Sequence, residues 1–272
     1  MYPLNLILIR HGESEGNFAK MKALNENNNE IYEKLENRKS PFYRLTKTGR
    51  EQIEYTRRWF KKNIKFEIEN FYCSEYIRAL ETALLLDIEN VNWETNTYLR
   101  EKDNGILSGL SPNFKTENYS QEVKRKENSL FYYAAPGGES VINCMNRVES
   151  FLNSTFDKTI DKTEKSILCV CHGGIMNSFR LLLENIRGTD KDKISKMRLG
   201  EEKINNGQIL WYSRKDPFTN KINSTYKWLY TICPWNTKTI NYDIKDWIEI
   251  KPRLYNNDDL KKIINQIKPI IL

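Results

Sequence analysis

The chain has 272 residues, 39% hydrophobic and 29% charged, with a formal net charge of +7. That length can bury a full core, and its longest aliphatic runs fall far short of the roughly 20 residues a membrane span needs, which excludes a transmembrane helix and leaves no apolar stretch for a secretory leader. The five cysteines form no CxxC pair and are expected to be free thiols in a reducing, cytoplasmic compartment, while the basic balance of an Asn-, Lys- and Ile-rich chain identifies no partner by itself.

Leu4–Ile9 is an aliphatic run ended by charge and predicts a strand buried on both faces, with His11 directly after it. Phe18 to Arg44 is polar and broken by Asn clusters and Pro41, which predicts a helical start followed by an insertion or lid. In Leu45 to Lys62, Thr46 is placed as an N-cap, and Ile53, Thr56, Trp59 and Phe60 recur at helical spacing. Ile68–Ser74 predicts a second strand, Glu75–Leu86 a helix with Arg78 in its first turn, and Asn92–Leu99 a further strand. A polar, lysine-rich region then runs to the turn APGGES, after which Val141, Met145, Val148, Phe151 and Leu152 mark one side of a helix.

Ser166–Val170 is the next strongly apolar strand, and it ends at His172, the second of only two histidines. A helix over Ile175–Glu184 follows, then two antiparallel strands over Asn205–Ser213 and Ser224–Ile232. The tail ends in a helical apolar stripe of Leu260, Ile263, Ile264 and Ile267, expected to pack on the core or on a second copy. Strands alternating with helices predict a three-layer α/β/α sandwich around a mostly parallel sheet, with one domain over 1–235, an insertion at about 18–44 and a C-terminal extension over 236–272.

Both histidines stand where an apolar strand ends and a glycine begins the next turn, the place where α/β sheets bind ligands. A zinc site built on Cys169, Cys171 and His172 lacks a fourth ligand at suitable spacing. A cysteine phosphatase loop fails because only four residues separate Cys73 from Arg78 and because Asn177 stands six positions after Cys171. Histidine as a nucleophile on phosphorus has the parts it needs: Arg10 and Arg78 as cations, and Glu13, Glu101 or Asp103 as proton donor.

The blocks RHGESEGN, LTKTGREQ, CSEYIRALETA, LREKDNG, PGGES and VCHGG resemble, in order from Leu6 to about Leu210, the histidine phosphatase superfamily (branch 1), which includes cofactor-dependent phosphoglycerate mutases and many phosphatases. The resemblance implies a phosphoglycerate mutase-like fold, a phosphorylated nucleophile at His11, and a phosphate pocket completed by Arg10, Arg78 and His172. It implies Glu101 as the acid for the leaving group, with Asp103 ranked second. Asn17 and the Gly173 N–H are implied as phosphate or substrate contacts, with Glu13 beside them, and no metal or cofactor is required.

The segment after Asn17 and the sequence KDNGILSGL depart from the mutases, and PGGES is more typical of the phosphatases, so the expected activity is a metal-independent phosphomonoester hydrolase. A phosphoglycerate mutase is the alternative within the same chemistry, and a phosphate-binding regulatory protein without turnover the alternative outside it. The expected partner is a small phosphomonoester or a phosphoprotein, together with a homodimer through the tail. The basic runs and the C-terminal aromatics are assigned to solvated faces and core packing, not to nucleic acid or membrane.

Overall fold

The computed structural model describes residues 2–157, 165–188, 190–200, 202–236 and 246–270. Seven strands form one sheet: β1 (Asn5–Arg10), β2 (Asn70–Cys73), β3 (Trp93–Thr95), β4 (Ser166–Cys171), β5 (Ile209–Ser213), β6 (Trp228–Ile232) and β7 (Ile248–Glu249), in the order β3-β2-β4-β1-β5-β6-β7. The four strands from β3 to β1 run parallel, and β5, β6 and β7 continue antiparallel.

The described helices are α1 (Glu15–Glu26), α2 (Glu30–Lys34), α3 (Lys47–Asn63), α4 (Ile77–Leu85), α5 (Pro112–Asn118), α6 (Ser120–Asn128), α7 (Val141–Asp157), α8 (Gly173–Leu183), α9 (Lys191–Leu199) and α10 (Asn257–Asn265). Alternation along the central strands builds two cores. Leu6, Leu8, Ile167, Cys169 and Cys171 point to Val148 and Phe151 of α7 and Ile175 and Phe179 of α8. Ile7, Ile9, Leu168 and Val170 point the other way, to Ile53 and Phe60 of α3 and Ala79 and Ala83 of α4. Because side chains of successive strand residues face opposite sides, a strand between two helical layers must be apolar throughout, which explains the unbroken runs in β1 and β4.

Several elements differ from the sequence expectation. The third strand is three residues long, and Thr97–Leu99 instead forms a 3-10 turn capped by the Asn96 side chain. The lysine-rich region holds α5 and α6, neither of which buries a residue, so no apolar stripe could announce them. The tail supplies β7, and Trp247 packs its ring 4.7 Å from Trp211.

The apolar stripe of α10 does not join the core: Leu260 is 44% exposed, Ile264 66% and Ile267 77%. The chain just before α10 is held at the surface by polar contacts, an Arg253–Asp190 ion pair and the Arg187 guanidinium 4.9 Å from the Tyr255 ring. Among the described residues no helix is long and apolar enough to cross a membrane.

Candidate active site

β1 and β4 are parallel neighbours in register, with Arg10 opposite Cys171, so their carboxyl ends lie side by side. The His11 N–H donates to the Cys171 carbonyl at 3.0 Å and extends the ladder by one residue, and the Ser74 N–H does the same to the Val170 carbonyl at 2.9 Å from the end of β2. Three sequence-distant junctions therefore converge at one sheet edge. The rings of His11 and His172 stand 5.0 Å apart, edge to face.

The environment assigns the His11 tautomer. Nδ1 lies 2.6 Å from the Gly12 carbonyl, which can only accept, so Nδ1 carries the proton and Nε2 keeps a lone pair. That lone pair accepts from Arg78 Nε at 3.2 Å. Burial, then the charges of Arg78 and Arg10, hold the His11 pKa well below the ordinary imidazole value, so the ring stays neutral.

His172 is equally buried, and desolvation, Arg78 and His11 push its pKa down in the same direction. Its Nε2 lies 2.7 Å from Ser74 Oγ, and its Nδ1 has no partner.

The two arginines are anchored without being neutralised. Arg78, in the first turn of α4, donates Nη1 to the Ser40 carbonyl at 2.7 Å and stacks over the Tyr76 ring at 4.9 Å. Burial lowers its pKa to about 10, with Glu101 opposing the shift. Arg10 donates Nη1 to the Ile204 carbonyl at 2.6 Å, and its Nε is buried without a partner. Five buried side-chain polar atoms among the described residues lack a partner, and two of them, Arg10 Nε and His172 Nδ1, belong to this cluster. Unmet buried donors are costly, so their concentration around one imidazole marks a preformed place for an anion.

The glycines explain how the groups come together. A Cβ on Gly173 would sit 3.1 Å from Arg10 Nε, and one on Gly174 would fall 2.4 Å from Glu101 Oε1. The pair thus admits the arginine on one side and the carboxylate on the other. Glu101 Oε2 accepts from the Gly174 N–H at 3.3 Å, which places its carboxylate at the N-terminus of α8, two residues from His172. Asp103 instead closes its own turn, accepting from the Gly105 N–H at 2.8 Å. The structure thereby brings Glu101, and not Asp103, to the α8 end of the site.

Asn17 Oδ1 accepts from the Ser14 N–H at 3.2 Å and from Asn206 Nδ2 at 3.0 Å, leaving its amide NH2 for a ligand. Glu13 is turned elsewhere: Oε1 accepts from the Thr46 hydroxyl at 2.7 Å, and its N–H donates to Gln52 Oε1 at 2.8 Å. These contacts lock the loop after His11 against the start of α3, and a Cβ on Gly12 would approach the Gly49 carbonyl oxygen to 2.4 Å. Ser74 and Thr82, which holds the Gly12 N–H at 3.2 Å, come from the same block as Arg78, whereas Asn206 and Ser40 complete the site from segments whose sequence carries no sign of it.

A cleft of about 1030 Å³ opens beside the site, where Tyr76 and Glu101 line it, between the segment around Tyr32, Arg38 and Tyr43 and the segment from Glu101 to Glu117. Among the described residues no three His, Cys, Asp or Glu side chains are grouped to hold a metal.

A mixed α/β sheet with two histidines and two arginines gathered at its carboxyl edge defines an α/β protein with an anion-accepting pocket. The model of the histidine phosphatase superfamily (branch 1) matches residues 6–223, and the chain belongs to that family. It is 28% identical over 197 residues to a 2,3-bisphosphoglycerate-dependent phosphoglycerate mutase of Bartonella bacilliformis, covering 70% of this chain and 84% of the relative. A phosphoglycerate mutase of Schizosaccharomyces pombe is 29% identical over 202 residues, covering 72% and 86%. Among solved structures, a mycobacterial glucosyl-3-phosphoglycerate phosphatase superposes with a TM-score of 0.58 at 19% identity, over 77% of this chain and 92% of that one. A phosphoserine phosphatase from Entamoeba histolytica does so with a TM-score of 0.54 at 21% identity, over 81% and 97%.

Proposed function

We propose that this chain is a metal-independent phosphomonoester hydrolase working through a phosphohistidine on His11. The observation that carries the proposal is the tautomer lock, because an Nδ1–H held by the Gly12 carbonyl leaves Nε2 as a neutral nucleophile in a pocket whose other groups are donors. Arg10, Arg78 and the Gly173 N–H take the phosphoryl oxygens. Ser74 Oγ already accepts from the Tyr76 N–H, so its hydroxyl proton is available to His172 Nε2, which makes Nδ1–H a further donor to the phosphate.

The Nε2–P bond forms as the ester O–P bond breaks, and the Glu101 carboxyl hands its proton to the departing oxygen. The resulting carboxylate then takes a proton from the water that cleaves phospho-His11. Asn17 orients the ester.

The cleft supports hydrolysis of an ester with a sizeable leaving group. Its volume lies at the upper end of ligand pockets, far more than a three-carbon acid fills. Its walls carry Glu33, Glu36, Asp103 and Glu117 beside Lys39 and Lys102, and Arg38 is already paired with Glu15 at 3.0 Å. Such a wall is a poor host for a bisphosphoglycerate, which needs concentrated positive charge at both ends. The second reading, a mutase, is favoured by the phosphoglycerate mutases among the curated relatives.

Phosphate release from a panel of phosphomonoesters, with and without EDTA, beside His11→Ala, tests the proposal. Release that resists EDTA and disappears with His11 is expected. Release abolished by chelation, or undiminished in His11→Ala, overturns it, and exchange between phosphoglycerate isomers without net release establishes the mutase.

A further inference from the structure

We infer that Glu139 and Arg147 are positioning residues whose ion pair sets the Glu101 carboxyl for proton transfer. The inference rests on Glu101 being the general acid. Arg147, on α7, meets Glu139 in a two-point contact, Nε to Oε1 at 2.7 Å and Nη2 to Oε2 at 2.9 Å. Both side chains are close to buried, at 10% and 13% exposure.

The remaining valences of the pair go to the backbone on either side of Glu101. Arg147 Nη1 donates to the carbonyls of Tyr98 at 2.6 Å and Arg100 at 3.2 Å. Glu139 Oε2 accepts from the Asp103 N–H at 2.9 Å, Oε1 accepts from Arg100 Nη2 at 2.8 Å, and the Glu139 N–H donates to the Asp103 carbonyl at 2.9 Å. The backbone is therefore gripped immediately before Glu101 and two residues after it.

The turn preceding Glu139 completes the clamp. The Ile106 N–H donates to the Pro136 carbonyl at 3.0 Å, and backbone presses on backbone so closely that a Cβ on Gly105 would lie 2.2 Å from the Pro136 oxygen and one on Gly138 2.7 Å from the Gly105 nitrogen. Glu101 itself has weaker restraints, its own neighbour's N–H on Lys102 at 2.9 Å and the Gly174 N–H at 3.3 Å. An acid on an irregular segment delivers its proton in line only if that segment is fixed, and the PGGES turn with Arg147 is what fixes it.

The test exploits the leaving group. Nitrophenolate departs without a proton, whereas an alkoxide needs one, so losing the acid penalises alkyl phosphates selectively. kcat/KM, which reports events up to departure of the first product, is measured for p-nitrophenyl phosphate and glycerol 2-phosphate on wild type, Glu101→Gln, Glu139→Gln and Arg147→Met. Glu101→Gln is expected to lower the alkyl value about 10²–10⁴-fold and the aryl value far less. Glu139→Gln and Arg147→Met are expected to raise the aryl-to-alkyl ratio at least about tenfold, with circular dichroism unchanged.

A merely structural role lowers both esters together, and an unchanged ratio in these two variants while Glu101→Gln shifts it overturns the positioning role alone. An unchanged ratio in Glu101→Gln removes the acid from Glu101 and this inference with it. Glu139→Gln, nearly isosteric, decides the matter if Arg147→Met does not fold.

Discussion

The two histidine junctions share one local design in sequence, an apolar strand, a histidine and a glycine, and the structure makes them chemically unequal. At the first, Nδ1 is held by a carbonyl one residue away and Nε2 faces Arg78. At the second, Nε2 is held by a serine just beyond the end of β2 and Nδ1 has no partner. A covalent nucleophile needs its spare nitrogen unprotonated, and a local carbonyl that holds Nδ1–H keeps Nε2 free whenever the ring is neutral. A phosphate donor needs its spare nitrogen protonated, and a hydroxyl, which both donates and accepts, leaves that option open. Two buried rings whose pKa values are both pushed down thus yield two different tools.

The largest effect that could break this comparison is covalent labelling. His11→Ala should lose phosphate release by at least about 10⁴-fold and yield no acid-labile phosphoprotein after quenching with a phosphorylated substrate. His172→Ala should lose on the order of 10²–10³-fold in kcat, as for removal of one preorganised donor, and still label on His11 at a reduced rate. Labelling that survives in His11→Ala and vanishes in His172→Ala would reverse the two assignments. A smaller effect attaches to Ser74→Ala, which removes the hydroxyl but neither imidazole. Turnover is expected to fall about tenfold, through a kcat term with KM for the ester little changed, because the ring is left to choose its own tautomer. An unaltered kcat in Ser74→Ala would show that the serine does not set the donor.

The inequality explains what could be read in advance. His11, Arg10, Arg78 and His172 stand at strand ends or in a first helical turn, and the apolar runs Leu6–Ile9 and Ile167–Cys171 make the two histidine ends visible. The protonated nitrogen of His172 could not be read, because it depends on Ser74, which follows β2 and looks like an ordinary strand-to-helix cap. Asn206 contacts the His11 carbonyl at 3.0 Å across 195 positions, a closure that no local pattern encodes. Glu13 was drawn into the site by its nearness to His11 along the chain, whereas its carboxylate serves the N-terminus of α3. The C-terminal stripe was legible as a helix, and its partner was not, since periodicity specifies a face and never what covers it.

The finest test of the comparison uses stability, because the chain holds only two histidines and both are in the pocket. Each has a folded-state pKa well below the ordinary value near 6.5, so between that value and the folded pKa the unfolded chain binds a proton that the folded chain refuses. Stability then rises with pH across this window and levels off above it. It is fully present above about pH 7 and is lost as pH falls below about 6.5, at up to about 1.4 kcal/mol per pH unit for each histidine.

Carboxylates held low by arginines, such as Glu54 at about 2 and Glu139, add a loss of the same sign only in more acid solution, so the range from about pH 5.5 to 7 isolates the imidazoles. Urea unfolding across that range should show a slope in the wild type that steepens toward two protons at the acid end, and about half that slope in either His11→Asn or His172→Asn. A flat wild-type profile would mean that neither ring is refused its proton. Unequal losses in the two variants would measure directly which junction is the more strongly desolvated, a difference that the shared strand, histidine and glycine conceal.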